Sequence, residues 1–232
     1  MGWTHISENM LGWDTKKLSI HVNTNNCLIE DVDLFAVVDA AIKTWNSIPT
    51  SGLVIERDAA ESIVTVVDFL AGSATEVPLI LCDPNFGTDN GVDSNLIPAA
   101  TRMAKDSTSH LAYGGILLNA QVNAAAEVSK LSSSELAITL THELGHILGL
   151  GHSSSKEALM YYSIADKPGA FLTQDDMDGI SYLYPRNEFQ GNPFGCGAIH
   201  DHGAKQPFFL SCLMIFVMLG IARFGRLRGS QG

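Results

Sequence analysis

Residues 142–152 read His-Glu-Leu-Gly-His-Ile-Leu-Gly-Leu-Gly-His, and this spacing constrains the chain more than any other feature. On a helix, His142 and His146 stand four residues apart, so their imidazoles project from one face, one turn above the other. Gly149 tolerates a positive φ and lets the chain leave the helix in a sharp turn. That turn carries His152 back toward the other two. Three imidazoles leave one position of a tetrahedral zinc ion open, the arrangement of a catalytic site and not of a closed structural one. Glu143 follows the first ligand and can reach the open position without binding metal. The helix is predicted independently of the motif. Ser132 to Glu135 form a capping box, and Leu136, Leu140, Leu144 and Ile147 supply an apolar face running to Gly149.

Other elements are legible from periodicity. Lys17–Asn23 alternates polar and apolar residues and reads as a half-buried strand. Between Ile29 and Ile48, Leu34, Val37, Val38, Ala41, Ile42 and Trp45 recur at helical spacing. Leu53–Glu56 and the β-branched run Ile63–Phe69 read as strands, and Leu79–Cys82 as a short one. Gly115–Ala120 reads as a further strand. Asp83–Asn95 has the Asp, Asn and Gly content of a surface loop. Asp83, Asp89, Asn90, Asp93 and Asn95 either remain plain loop residues or supply oxygens to a Ca2+ ion, although their spacing is not that of an EF-hand. Gln174–Leu183 is a second helix, led by Thr173 with Asp175 and Asp176 in its first turn.

The extended motif identifies a resemblance. His142, Glu143, His146, Gly149 and His152 match the pattern of the metzincins, and Ala158-Leu159-Met160-Tyr161 resembles the methionine turn of the matrixin branch. Ser153 after the third histidine is the matrixin-like choice. Leu172–Ile180 resembles the start of the last matrixin helix, so the resemblance covers about residues 133–185. It implies an α+β catalytic domain over residues 14–188: a twisted, mostly parallel sheet with an antiparallel edge strand, an active-site helix and a C-terminal helix. It further implies a zinc endopeptidase with one catalytic Zn2+ on His142, His146 and His152. Glu143 would act as general base on a metal-activated water, with Met160 packed beneath the site. Gly115, Ile116, Leu117, Leu118, Asn119 and Ala120 resemble the edge strand that binds extended protein or peptide substrates by β-addition. Matrixins usually have proline two positions after the turn methionine, where this chain has Tyr162. That tyrosine is either a packed aromatic or, as in other metzincin branches, a stabiliser of the transition state. A lone His110 is all that stands where the family carries a second, structural zinc site.

Charge bears on partners. The formal charge of the 232 residues is -11; Arg223, Arg226 and Arg228 follow the last acidic residue, so residues 1–222 hold 11 basic against 25 acidic groups. A body with a net charge of -14 argues against nucleic acid, which needs a basic face. Residues 189–206 read as a linker or sorting motif around Cys196, with His200 and His202 nearby. Residues 207–228 form an apolar stretch ending in the three arginines. It reads as a membrane helix with its basic end in the cytoplasm and the catalytic body outside, against the alternative of a buried core helix. Met1 is not followed by a basic start and apolar run. Export therefore implies a signal that is not visible in this sequence. In an oxidising compartment Cys27 and Cys82 either pair or remain two buried thiols. Two rival functions are a non-catalytic surface metal-binding or adhesion module, and a zinc amidase acting on cell-wall peptides.

Overall fold

A computed structural model describes residues 2–6, 10–29 and 33–186. The linker at 189–206 and the apolar stretch at 207–228 lie outside these residues. Among the described residues no helix is long and apolar enough to cross a membrane.

The strands are β1 (Leu11–Trp13), β2 (Lys17–Val22), β3 (Val54–Arg57), β4 (Leu79–Asp83), β5 (Ala99–Lys105) and β6 (His110–Asn119). The helices are α1 (Leu34–Asn46), α2 (Val66–Leu70), α3 (Phe86–Asn90), α4 (Ser133–Ile147) and α5 (Gln174–Leu183). The sheet runs β3-β2-β4-β6-β5, parallel throughout except for the last pair, and β1 joins the start of β6. This is the predicted α+β arrangement, a mainly parallel sheet with one antiparallel edge.

Apolar side chains bury both faces of the sheet. On one face α1 and α4 pack through Val38, Ile42, Trp45, Leu140 and Leu144 onto Ile20, Ile80, Ile116 and Leu118. Phe69, Phe86, Leu79, Leu81 and Leu117 form a smaller cluster on the other. Each fully buried aliphatic or aromatic side chain contributes roughly 1.5–3 kcal/mol relative to exposure. Trp45 also donates its Nε1 proton to the Thr141 carbonyl at 2.9 Å, fixing α1 against the helix that carries the histidines.

Three expectations change. Ile63–Phe69 is not a strand, because Thr65 and Asp68 form a capping box that starts α2. The box satisfies two backbone N–H groups locally, which outweighs the β-branched composition. Residues 86–90 within the expected loop form the short helix α3. Gly115–Asn119 belongs to β6, which is bonded to β4 on one side and β5 on the other, so it is an interior strand. The free edge beside α4 is β5. Cys27 and Cys82 are joined by a disulfide that ties the loop after β2 to β4.

Candidate metal centre

Helix α4 begins as predicted. Ser132 accepts from the Glu135 N–H at 3.3 Å, and the Glu135 carboxylate accepts from the Ser132 N–H at 2.8 Å. Its far end is fixed by long-range donors. Trp13 Nε1 donates to the Ile147 carbonyl at 2.8 Å, and the buried Tyr184 hydroxyl donates to the Leu148 carbonyl at 3.0 Å. These bonds satisfy carbonyls that every helix end leaves without an intrahelical partner. The chain then turns at Gly149, with φ of +100°.

The turn brings His152 to His142 and His146; ring centroids lie 4.7, 4.8 and 5.4 Å apart. One ligand atom from each of the three lies within 4.8 Å of the others. His142 Nδ1 lies 2.9 Å from the Leu159 carbonyl and His146 Nδ1 lies 2.7 Å from the Leu150 carbonyl. A carbonyl only accepts, so both Nδ1 atoms carry protons and both Nε2 atoms keep free lone pairs. Burial lowers the pKa of His142 to about 4 and of His146 to about 3, and lowers that of the more exposed His152. All three rings are therefore neutral near pH 7, the protonation state in which imidazole binds a metal. The donor set, its tautomers and its charge state fit zinc.

Glu143 is buried beside this cluster, and burial pushes its carboxyl up to about 7, with hydrogen bonds from Thr101 pulling the other way. Thr101 Oγ1 donates to Glu143 Oε2 at 2.6 Å.

Met160 is fully buried and packs beneath α4. A Cβ at Gly145 would collide with Met160 Sδ and lie 2.8 Å from the Trp45 ring, so only glycine lets the turn come this close. The turn is suspended from Asp176. This fully buried carboxylate accepts from the N–H groups of Leu159 at 2.9 Å and Met160 at 3.0 Å. It also accepts from the N–H and hydroxyl of Thr173, each at 2.8 Å. The neighbouring Asp175 accepts from the Ser153 hydroxyl at 2.7 Å and from the Gly2 N–H at 2.6 Å. Residues 2–6 run along the third-histidine loop. Gly151 N–H donates to the Thr4 carbonyl at 2.7 Å, and the Thr4 hydroxyl donates to the His152 carbonyl at 2.9 Å.

The predicted site residues thus divide. His142, Glu143, His146, His152 and Met160 come together. Tyr162 is 67% exposed, and its ring leans on Tyr161 with centroids 4.4 Å apart. His110 sits at the start of β6, with Nδ1 3.0 Å from the Thr108 hydroxyl. Both oxygens of Asp83 accept locally, from Asn85 and Asn90, and Oδ1 of Asp93 accepts from Asn95. Among the described residues the three histidines are the one group of three or more His, Cys, Asp or Glu gathered as metal ligands are. Thr101 and Asp176 were not singled out for the site by sequence. The Thr173-to-Asp176 capping pattern was available as a signal for the second, and nothing local marks the first.

The sequence model of the matrixin family matches residues 92–185. Metalloendoproteinase 2-MMP of Arabidopsis thaliana is 46% identical over 61 residues, 26% of this chain and 16% of that protein. Stromelysin-1 of Rattus norvegicus is 47% identical over 57 residues, 23% of this chain and 12% of that protein. Matrilysin of Homo sapiens is 54% identical over 46 residues, 19% of this chain and 17% of that protein. The chain thus spans less than a fifth of the length of each of these relatives. The segment that carries the three histidines, their glutamate and the methionine turn is that of a matrixin-like metzincin.

Proposed function

We propose that the protein is a zinc-dependent endopeptidase that hydrolyses extended protein segments outside the cytoplasm. The observation that carries this reading is the convergence of three neutral imidazoles beside a buried carboxylate and a free sheet edge. His142, His146 and His152 would hold the zinc, which would supply polarisation of the scissile carbonyl and a more acidic water. Glu143 is the general base: its carboxylate takes the proton from the attacking water and later returns it to the leaving amine. Burial supports this role in direction, because it raises the affinity of the Glu143 carboxyl for a proton. Asp176, acting through the Leu159 carbonyl, orients His142. An extended substrate adds to the outer edge of β5, the role the sequence reading gave to 115–120. On the sheet face away from Glu143, an open depression walled by Phe69, Leu70, Arg102 and Tyr113 adjoins that edge and can receive alternate substrate side chains.

We place the body in an oxidising, extracytoplasmic compartment because Cys27 and Cys82 are bonded. The apolar residues 207–222 followed by three arginines support a tethering or sorted tail. Fractionation of cells producing the full chain tests the tether; recovery in the soluble fraction with the tail intact counts against it.

The peptidase test is cleavage of casein and of a quenched peptide library by the full chain, alongside Glu143→Ala. Cleavage stopped by a chelator and absent in the variant is the expected result. Bound zinc with no cleavage of any substrate would favour a binding module over an enzyme.

A further inference from the structure

The register of β5 against β6 fixes where each residue of the edge strand points. Ala99, Thr101 and Met103 face Leu118, Ile116 and Gly114, and directly paired residues share a face. Thr101 Oγ1 touches Glu143, so this is the α4 face of the sheet. The same register fixes the main chain. Asn119 N–H donates to the Pro98 carbonyl at 2.9 Å, and hydrogen-bonded and non-bonded pairs alternate along an antiparallel ladder. Ala100, Arg102 and Ala104 therefore turn their backbone groups toward β6. Ala99, Thr101 and Met103 turn theirs away, to the free edge. The bond from Ala120 N–H to the Asp83 carbonyl agrees, since it directs the even-numbered residues of β6 toward β4.

Thr101 thus combines two properties that no other residue of β5 has. Its backbone lies on the edge where an extended chain pairs, and its side chain donates to the buried glutamate. One hydroxyl proton has two acceptors in reach, Glu143 Oε2 at 2.6 Å and the Glu143 carbonyl at 3.2 Å. The shorter contact is the charge-assisted one. It occupies one carboxylate oxygen, and among the described residues no protein donor bonds the other. Ala99 and Met103 carry no hydroxyl, so β5 offers no substitute donor on this face.

We propose that Thr101 is a positioning residue that couples strand pairing of the substrate to the orientation of the Glu143 carboxylate. This rests on the endopeptidase reading and deepens it. A peptide bonded to the outward backbone groups of Thr101 is thereby held in fixed register with the hydroxyl that orients the general base.

The test compares the full-length parent with Thr101→Val and Thr101→Ser, measuring kcat and KM on a peptide that the parent cleaves, zinc content and thermal midpoint. Loss of one hydrogen bond to a charged acceptor predicts a fall in kcat of about 10- to 100-fold for the valine variant. KM and zinc content should stay close to the parent values, the thermal midpoint should fall by about 2–12 °C as a buried carboxylate loses its donor, and serine should restore most of kcat. Unchanged kcat in the valine variant, a loss confined to KM, or a serine variant as impaired as the valine one would overturn the proposal. A second readout does not need turnover: the 13C resonance of the Glu143 side-chain carboxyl. It should move in Thr101→Val and return in Thr101→Ser. A parent that cleaves nothing sinks the peptidase reading, and an unmoved resonance sinks the positioning.

Discussion

Replacing Asp176 by alanine should damage the metal centre although Asp176 touches no ligand. The carboxylate accepts four hydrogen bonds, two from the methionine turn and two from Thr173. Its removal leaves the buried N–H groups of Leu159 and Met160 without partners, at roughly 1–3 kcal/mol each. The midpoint is a destabilisation of about 4 kcal/mol, and a domain of this size loses about 2–4 °C per kcal/mol, so Tm falls by about 8–16 °C. The damage reaches the site because the Leu159 carbonyl holds His142 Nδ1. Loss of such an outer-shell support typically weakens metal affinity by about 10- to 100-fold. Asp176→Asn keeps an acceptor oxygen and should fall between the parent and alanine. Asp175→Ala is the control, since its half-buried carboxylate holds Ser153 and Gly2 but not the turn. Melting followed by circular dichroism, together with zinc competition against a chromophoric chelator, reads both effects. An Asp176→Ala protein that melts within about 2 °C of the parent and binds zinc equally would refute the reasoning.

Further predictions concern the frame around the site. Breaking the disulfide with Cys27→Ser and Cys82→Ala releases a loop of 55 residues, which costs about 4 kcal/mol in the chain-entropy account; melting without reductant measures it. Burial raises the pKa of Tyr184, so its proton is bound more tightly in the folded state than in the unfolded one. Stability is therefore lost as pH rises above the unfolded value near 10, by up to about 1.4 kcal/mol per pH unit, and urea melts should show a shallower alkaline decline in Tyr184→Phe. Gly145→Ala forces a methyl group into Met160 and Trp45, and overpacking of this kind costs about 1–3 kcal/mol; a melt and a zinc titration would register it. Tyr162→Phe should retain kcat within about twofold, because the exposed ring stands with Tyr161; a larger loss would assign the hydroxyl a role in the reaction.

What the sequence revealed follows the range over which each signal acts. Helix α4 was legible because the capping box at Ser132 and the apolar face lie within one segment, and the three histidines and Glu143 came with it. Helix α5 was legible for the same reason. The cap that makes α2 was equally local, but the composition of Ile63–Phe69 drew the reading toward a strand. Strand β5 went unread because Ala-Ala-Thr-Arg-Met-Ala-Lys has few large apolar residues, as suits a sheet edge partly open to solvent. Gly115–Ala120 resembles the family's edge strand, yet its buried, nearly unbroken apolar run is the mark of an interior strand covered on both faces. Thr101 and Asp176 meet their partners across sequence separations of 42 and 17, so no local pattern discloses the contacts. The disulfide likewise waited for the geometry that brings Cys27 to β4.

The most direct test of the central claim is a zinc titration of the metal-stripped full chain, with bound zinc and peptide cleavage measured in the same samples. Cleavage that rises in step with zinc and levels off at one ion per chain, with Glu143→Ala binding the same zinc and cleaving nothing, is the predicted result. Cleavage that persists in the stripped protein or in Glu143→Ala, or a folded chain that takes up no zinc, would contradict it.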